Sequence, residues 1–263
     1  MSSIKILKNQ ADLIESVHNK FSGETVIVLG CSPFLSEYDG AIMRKILNAS
    51  RVIAIKQSYN LFKNFVDIHA YNCCNMQNYD YSETKPMIFE ASSLAPSSNP
   101  FDLYFHIRER DKNKSLSALC ANSGTCDELD KWTLSKSENL IKDAWGGCDI
   151  HLRPYGPGIM SELIFYICEH LGFSRIILIG CDNEPSKGRT HFYRDKDNKC
   201  QEISNDPHHI APWINFNEEK NMHLRLMDSW NKWFLGKGVS LELVSRFNNY
   251  PKPIKRIKIN EII

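Results

Sequence analysis

What this sequence lacks narrows the field before any motif is read. It has no G-x-G-x-x-G fingerprint and no Gly-Lys-Ser/Thr phosphate loop. That weighs against a dinucleotide-dependent oxidoreductase and a P-loop enzyme. It has almost no charge surplus, with a formal net charge of +1. No global field therefore draws it to nucleic acid or to an anionic membrane, and any anion site must be a local pocket. No run approaches the ~18–20 apolar residues of a membrane span. The opening stretch, MSSIKILKNQADLIESVHNKF, is broken by charge and lacks the apolar core of a secretory leader. Nine cysteines form no C-x-x-C pair. An odd, scattered set reads as free thiols of a reducing cytoplasm and not as a zinc site. Internal repeats and low-complexity tracts are missing as well. One D-x-D triplet, Asp195-Lys196-Asp197, is bracketed by Arg194 and Lys199 and follows no apolar strand. It reads as a solvated charged turn, so no metal site is expected.

What is present is an alternation of short apolar runs with helical stretches. Hydrophobic residues make up 42% and charged residues 24% of the 263, the balance of one large α/β domain over residues 1–263. Strands are expected at 25–29, 51–55, 66–71, 87–90, 175–179 and 239–244. Fully apolar runs such as Ile176-Ile177-Leu178-Ile179 suit a parallel sheet covered on both faces. A helix is expected over 157–171, where Ile159, Leu163, Ile167 and Leu171 fall on one stripe, Pro157 suits the first turn and Gly172 the stop. A second helix is expected over 219–235. Its Trp230 and Trp233 stand three apart and read as core packing, not as a sugar platform. Residues 91–150 show the least pattern and read as an insertion or lid side. The basic tail PKPIKRIKINEII either packs as a last strand or dangles. The fold expected is a single doubly wound, mostly parallel, Rossmann-like sheet, with a small lid at about 183–218.

Open α/β sheets bind ligands outside the carboxyl ends of their strands. Four such ends are polar here: Gly30-Cys31-Ser32-Pro33, Lys56-Gln57-Ser58, Asn72-Cys73-Cys74-Asn75 and Gly180-Cys181-Asp182-Asn183. A fifth segment, Arg153-Pro154-Tyr155-Gly156-Pro157-Gly158, leads into a helix whose first amides suit an anion.

These blocks, in this order, resemble bacterial CMP-sialic acid-dependent sialyltransferases of the lipooligosaccharide type. They also resemble the wider superfamily that holds flagellin nonulosonate glycosyltransferases and archaeal pterin pyrophosphokinases. The family's first strand opens on Gly-Asn-Gly-Pro-Ser-Leu, where this chain reads Gly30-Cys31-Ser32-Pro33-Phe34-Leu35. Its second strand ends in Cys-Asn-Gln, here Ile55-Lys56-Gln57, and its third in Phe-Asn-Pro-Ser, here Tyr71-Asn72-Cys73-Cys74. An Arg and a short turn then precede a helix ending in Ala-Leu-Gly-Tyr; here Arg153 and Tyr155–Gly158 precede His170-Leu171-Gly172-Phe173. Its Ser-Gly-Ile-Asp loop is matched by Ile179-Gly180-Cys181-Asp182. The order holds over roughly residues 24–250. Departures are the first-loop Asn, replaced by Cys31-Ser32; the Asn after strand two, replaced by Lys56; the leaving-group tyrosines, which fall near Glu184 and His191; and the second His of the family's His-Tyr-Ile-Gly-His, which falls on Pro212.

The resemblance implies a variant GT-A sheet and a metal-independent, inverting glycosyltransferase. It would move sialic acid or another nonulosonate from a CMP-activated donor to an oligosaccharide or glycoconjugate acceptor. It would need no cofactor and would work in the cytoplasm, at the inner face of the membrane or away from it. Nucleic acid is not an expected partner; peripheral membrane association and a homo-oligomer stay open. In this reading Gly30, Cys31, Ser32, Lys56, Gln57, Asn72, Tyr155, Gly156, Gly158 and Asp182 bind the donor nucleotide. Arg153, His191 and Tyr193 offer a cation, an imidazole and a phenol for the departing phosphate, together with Lys56. His208 or His209, with an ordinary imidazole pKa near 6.5, is placed to deprotonate a hydroxyl; His223 is the further candidate. Each has a plainer alternative: Ser32 as a turn cap, Arg153 paired on the surface, Lys56 solvated, Asn72 and Asp182 as turn residues. Two other functions remain: an Mg²⁺-dependent pyrophosphokinase acting on a pterin, and a non-catalytic nucleotide-binding module that has lost its base.

Overall fold

Val26-Ile27-Val28-Leu29 are fully buried, and β-branched side chains favour extended backbone, so Thr25–Leu29 forms β1 at the centre of the sheet. The protein is seen in a computed structural model that describes residues 10–72, 79–92, 104–109, 152–153, 160–182, 224, 227–228, 230–245 and 252–262. Beside β1 come β2 (Arg51–Ile55), β3 (Ile68–Asn72), β4 (Met87–Ser92), β5 (Tyr104–Glu109) and β6 (Leu152–Arg153). On its other side lie β7 (Arg175–Ile179), β8 (Ser240–Val244) and β9 (Lys255–Arg256). The strand order is β6-β5-β4-β3-β2-β1-β7-β8-β9, and every pairing among the described strands is parallel. The order reverses between β1 and β7, and such a switch point opens a crevice at the carboxyl ends of the strands.

Both faces are covered, as the apolar runs require. On one face Val26, Val28, Ile53, Ile55, Ile176 and Leu178 pack with α1 (Gln10–Glu15), with the helix that begins as a π-turn at Met160–Ile164 and continues as an α-helix over Phe165–His170, and with Met227, Trp230 and Phe234. On the other, Ile27, Leu29, Val52, Ala54, Ile177 and Ile179 meet α2 (Gly40–Asn48), α3 (Ser58–Phe62) and the C-terminal Ile257 and Ile262. Asp39 starts α2 by accepting hydrogen bonds from the amides of Ala41 and Ile42. The tryptophans pack as their spacing requires: Trp230 is fully buried, and Trp233 donates its indole N–H to Glu169 at 2.8 Å. Among the described residues no helix is long and apolar enough to cross a membrane.

Three expectations need correction. The stretch 91–150 is not without strands: Tyr104–Glu109 is β5, held by Phe105 stacked on Phe89 at 4.4 Å, and β6 follows just beyond, at 152–153. A Ser/Pro-rich approach and the charged positions of β5 hide it from a pattern search. The third strand begins at Ile68, not at 66. Asp67 is spent on the strand edge, where its carboxylate accepts from the amide of Val52 at 2.9 Å and pairs with Arg51 at 3.1 Å. The strand expected at 239–244, β8, starts at Ser240. Of the two readings of the tail, the strand is the one found. Lys255–Arg256 pairs with β8, and Lys255 joins Arg175 on the buried carboxylate of Glu242 at 2.8 and 2.7 Å. The proposed lid at 183–218 lies outside the described residues.

Candidate functional site

The carboxyl ends of β1, β2 and β7 come level because their registers place Leu29 beside Ala54 and Ile179. The next residues, Gly30 and Gly180, meet backbone to backbone. Gly30 N–H donates to Ile179 C=O at 2.9 Å, and Ser32 N–H donates to Gly180 C=O at 2.8 Å. A Cβ on Gly30 would stand 2.2 Å from the Gly180 oxygen. The lone glycine of the first loop is therefore required by the neighbouring loop itself. Gly180 has φ +67° and lies under Leu35, so it too has no room for a side chain. The two loops form one interlocked floor at the switch point.

Ser32 is buried, and its hydroxyl accepts from the amide of Phe34 at 3.2 Å. This is the turn-capping role. Cys31 turns toward the second loop and donates its thiol to Ile55 C=O at 3.1 Å. Burial raises that thiol to about 11, against the pull of the Lys56 charge and of the Ser58 and Gln57 amides. It stays protonated at neutral pH and acts as a seal between loops. Burial, the Asp182 carboxylate and Cys31 raise Cys181 as well. Asp182 is buried at the end of β7 and accepts a hydrogen bond from Ser245, which follows β8. Ser58, which the sequence reading left without a role, spans the gap where β1 and β2 part: its hydroxyl lies 2.8 Å from both Leu29 C=O and Ile55 C=O and accepts from Ile55 N–H.

The second loop carries the least comfortable residues. Lys56 has φ +49°, a left-handed conformation that costs a side-chain-bearing residue about 1–2 kcal/mol. It is only 9% exposed. Its N–H donates to Ala70 C=O at 2.9 Å, and its C=O accepts from His69 Nε2 at 2.8 Å. Gln57, 3% exposed, holds a buried Oε1 with no hydrogen-bond partner among the described residues. A buried acceptor left unmet costs about 1–3 kcal/mol. His69 is fully buried, and burial lowers its pKa to about 3 despite the Lys56 carbonyl. It is neutral and enclosed, and no strand-end motif drew attention to it.

The structure thus brings together Gly30, Cys31, Ser32, Lys56 and Gln57, with Asp182 at the end of the adjoining β7. Asn72 ends β3, one strand beyond β2. Arg153 does not join them. Its backbone ends β6, five strand steps from β1, or roughly 24 Å at about 4.8 Å per step. Sequence order had placed it on the same crevice, but sheet order separates them. Tyr155, Gly156, Gly158, His191, Tyr193, His208 and His209 lie outside the described residues, as does His223. No family model matches the chain, and no curated protein or solved structure matches it either.

Proposed function

We propose that the crevice at the β1–β7 switch point binds the ribose–phosphate part of a nucleotide, and that the chain is a nucleotide-sugar-dependent glycosyltransferase of the sialyltransferase-like kind. One observation carries the binding half. Gln57 Oε1 is a buried acceptor without a partner among the described residues, next in sequence to a strained, nearly buried lysine, at the carboxyl end of β2. An acceptor beside a cation suits a ligand that has both hydroxyl or amino donors and a phosphate. A hydrogen bond from the ligand to this oxygen would offset its desolvation.

The transfer half rests on the resemblance of the strand-end blocks, with the variant GT-A sheet as its fold. The donor is a CMP-linked nonulosonate and the acceptor a glycan hydroxyl. His208 or His209 takes the hydroxyl proton as the new glycosidic bond forms and the sugar–phosphate bond breaks. CMP leaves with both electrons of that bond, and Lys56 meets its charge with no metal required.

A thermal-shift panel of CMP, UDP, GDP, ATP and NAD, each with and without Mg²⁺, tests this. At a hundredfold excess over Kd a ligand stabilises by about 2.7 kcal/mol, or about 5 °C for a chain of this length. A shift with CMP that ignores Mg²⁺ supports the proposal. A shift with ATP only in Mg²⁺ replaces it with pyrophosphoryl transfer, and no shift with any nucleotide overturns it. If CMP binds, His208→Ala or His209→Ala should lower CMP release from a CMP-sugar by ~10²–10⁴-fold with the CMP shift intact. Unchanged turnover in both variants removes these histidines as the base. No turnover in the parent chain leaves a binding module.

A further inference from the structure

His69 belongs to a buried cluster that no strand-end motif includes. Its ring, fully enclosed on β3, stacks on Tyr59 at 4.6 Å and 21°, and meets Tyr79 edge-on at 4.4 Å and 88°. A carbonyl only accepts, so the 2.8 Å contact with Lys56 C=O puts a hydrogen on Nε2. Nδ1 of the neutral ring is then an acceptor, and the Tyr81 hydroxyl donates to it at 2.6 Å. Tyr81 thereby selects the tautomer that Lys56 needs. Beside this pair, Tyr71 lies against both Tyr81 and Glu90, and the Tyr104 hydroxyl donates to Glu90.

Both peptide hydrogen-bonding groups of Lys56 therefore reach β3, its N–H to Ala70 and its C=O to His69 at 2.8 Å, with the Tyr59 amide a longer second donor to that carbonyl at 3.3 Å. A glycine would take φ +49° with little strain, so the turn alone does not require lysine. What lysine adds is a cation, on the residue that precedes Gln57, whose buried Oε1 has no hydrogen-bond partner among the described residues. We propose that His69 is a positioning residue: with Tyr81 it locks the Lys56 peptide in its left-handed form and so presents Lys56 and Gln57 to the ligand of the crevice. The identity of that ligand as a nucleotide rests on the function proposed above; the locking does not.

Two measurements on the full chain test it. The first is amide exchange at Lys56, Gln57 and Ser58 compared with Ile27 and Val28 of β1. His69→Phe keeps the ring volume but loses both hydrogen bonds, and should quicken exchange in the loop at least tenfold while β1 is unchanged. His69→Gln, which can still donate toward Lys56 C=O, should recover part of that protection. Equal quickening in the loop and β1 would make His69 an ordinary core residue and overturn the proposal. The second is CMP affinity by calorimetry. His69→Phe should weaken it at least tenfold in the parent chain and less than threefold in a chain already carrying Lys56→Gly. Equal losses in both backgrounds would show that His69 does not act through Lys56, and would also overturn it. If the parent chain binds no CMP, the nucleotide reading falls and the exchange comparison alone decides the positioning.

Discussion

Replacing Gly30 by alanine separates two roles for the first loop: approach to a ligand, and approach to another loop. The new Cβ would lie 2.2 Å from Gly180 O and 2.8 Å from Cys181 Sγ. Ordinary contact needs about 1 Å more. The thiol can turn aside, but the carbonyl is backbone and its strand would have to move. A shift of that size stretches the Gly30–Ile179 and Ser32–Gly180 hydrogen bonds, now 2.9 and 2.8 Å, beyond useful range. Overpacking costs about 1–3 kcal/mol, and each lost bond about 0.5–1.5 kcal/mol. The expected destabilisation is about 4 kcal/mol, a large share of the ~5–15 kcal/mol that holds a typical domain together. At about 2 °C per kcal/mol for a chain of this size, Gly30→Ala should melt roughly 8 °C below the parent by circular dichroism. Gly236→Ala is the control, because its Cβ would meet nothing within 4 Å, and it should melt at or slightly above the parent. A Gly30→Ala chain melting within about 2 °C of the parent would refute the interlocked floor. Weakened ligand binding in such a chain would return Gly30 to the ligand.

Two further outcomes concern charge. His69 titrates near 3 in the folded chain because burial disfavours its charged form, against about 6.5 unfolded. The unfolded state binds the extra proton between those values, so stability should fall as pH drops from about 6.5 toward 3, by up to ~1.4 kcal/mol per unit. Urea unfolding at pH 7 and pH 5 should differ by about 2 kcal/mol more in the parent than in His69→Phe; equal differences would show that His69 is not held neutral. Glu242 is buried, which alone would raise its pKa, but Arg175, Lys255 and Ser240 bring it below the ordinary carboxylate value. Its contribution is present at neutral pH and is lost as pH falls through the acid range. Glu242→Gln should cost about 2 kcal/mol at pH 7 and much less near pH 3. A constant difference across that range would refute the pairing.

Much of the sheet was legible because burial leaves a local trace. Val26–Leu29, Val52–Ile55 and Ile176–Ile179 are continuous apolar runs, and β1, β2 and β7 have the bounds their sequences suggest. Polar residues directly after such runs marked the carboxyl ends of β1, β2 and β7, where Gly30, Lys56 and Gly180 follow. β5 was not legible. Tyr104, Phe105 and Ile107 favour a strand, but His106, Arg108 and Glu109 break the apolar run, and the partners of Tyr104 and Phe105, Ile88 and Phe89, lie sixteen residues earlier. Ser58 and His69 were passed over because a serine after a strand and a histidine within one are common. Their importance lies in what they reach, the Leu29 carbonyl 29 residues away and the Lys56 carbonyl 13 away.

The sequence by itself determined that this is a parallel α/β sheet covered on both faces, with polar strand ends, because hydrophobic periodicity is written residue by residue. The tertiary structure decided which strands are neighbours, since pairing is settled between distant segments by packing and crossover handedness. That order makes β1 and β7 the switch point, moves Arg153 five strands from it, turns Gly30 toward Gly180, and places His69 of β3 where it can hold Lys56 of the β2 loop in a conformation lysine does not choose unaided.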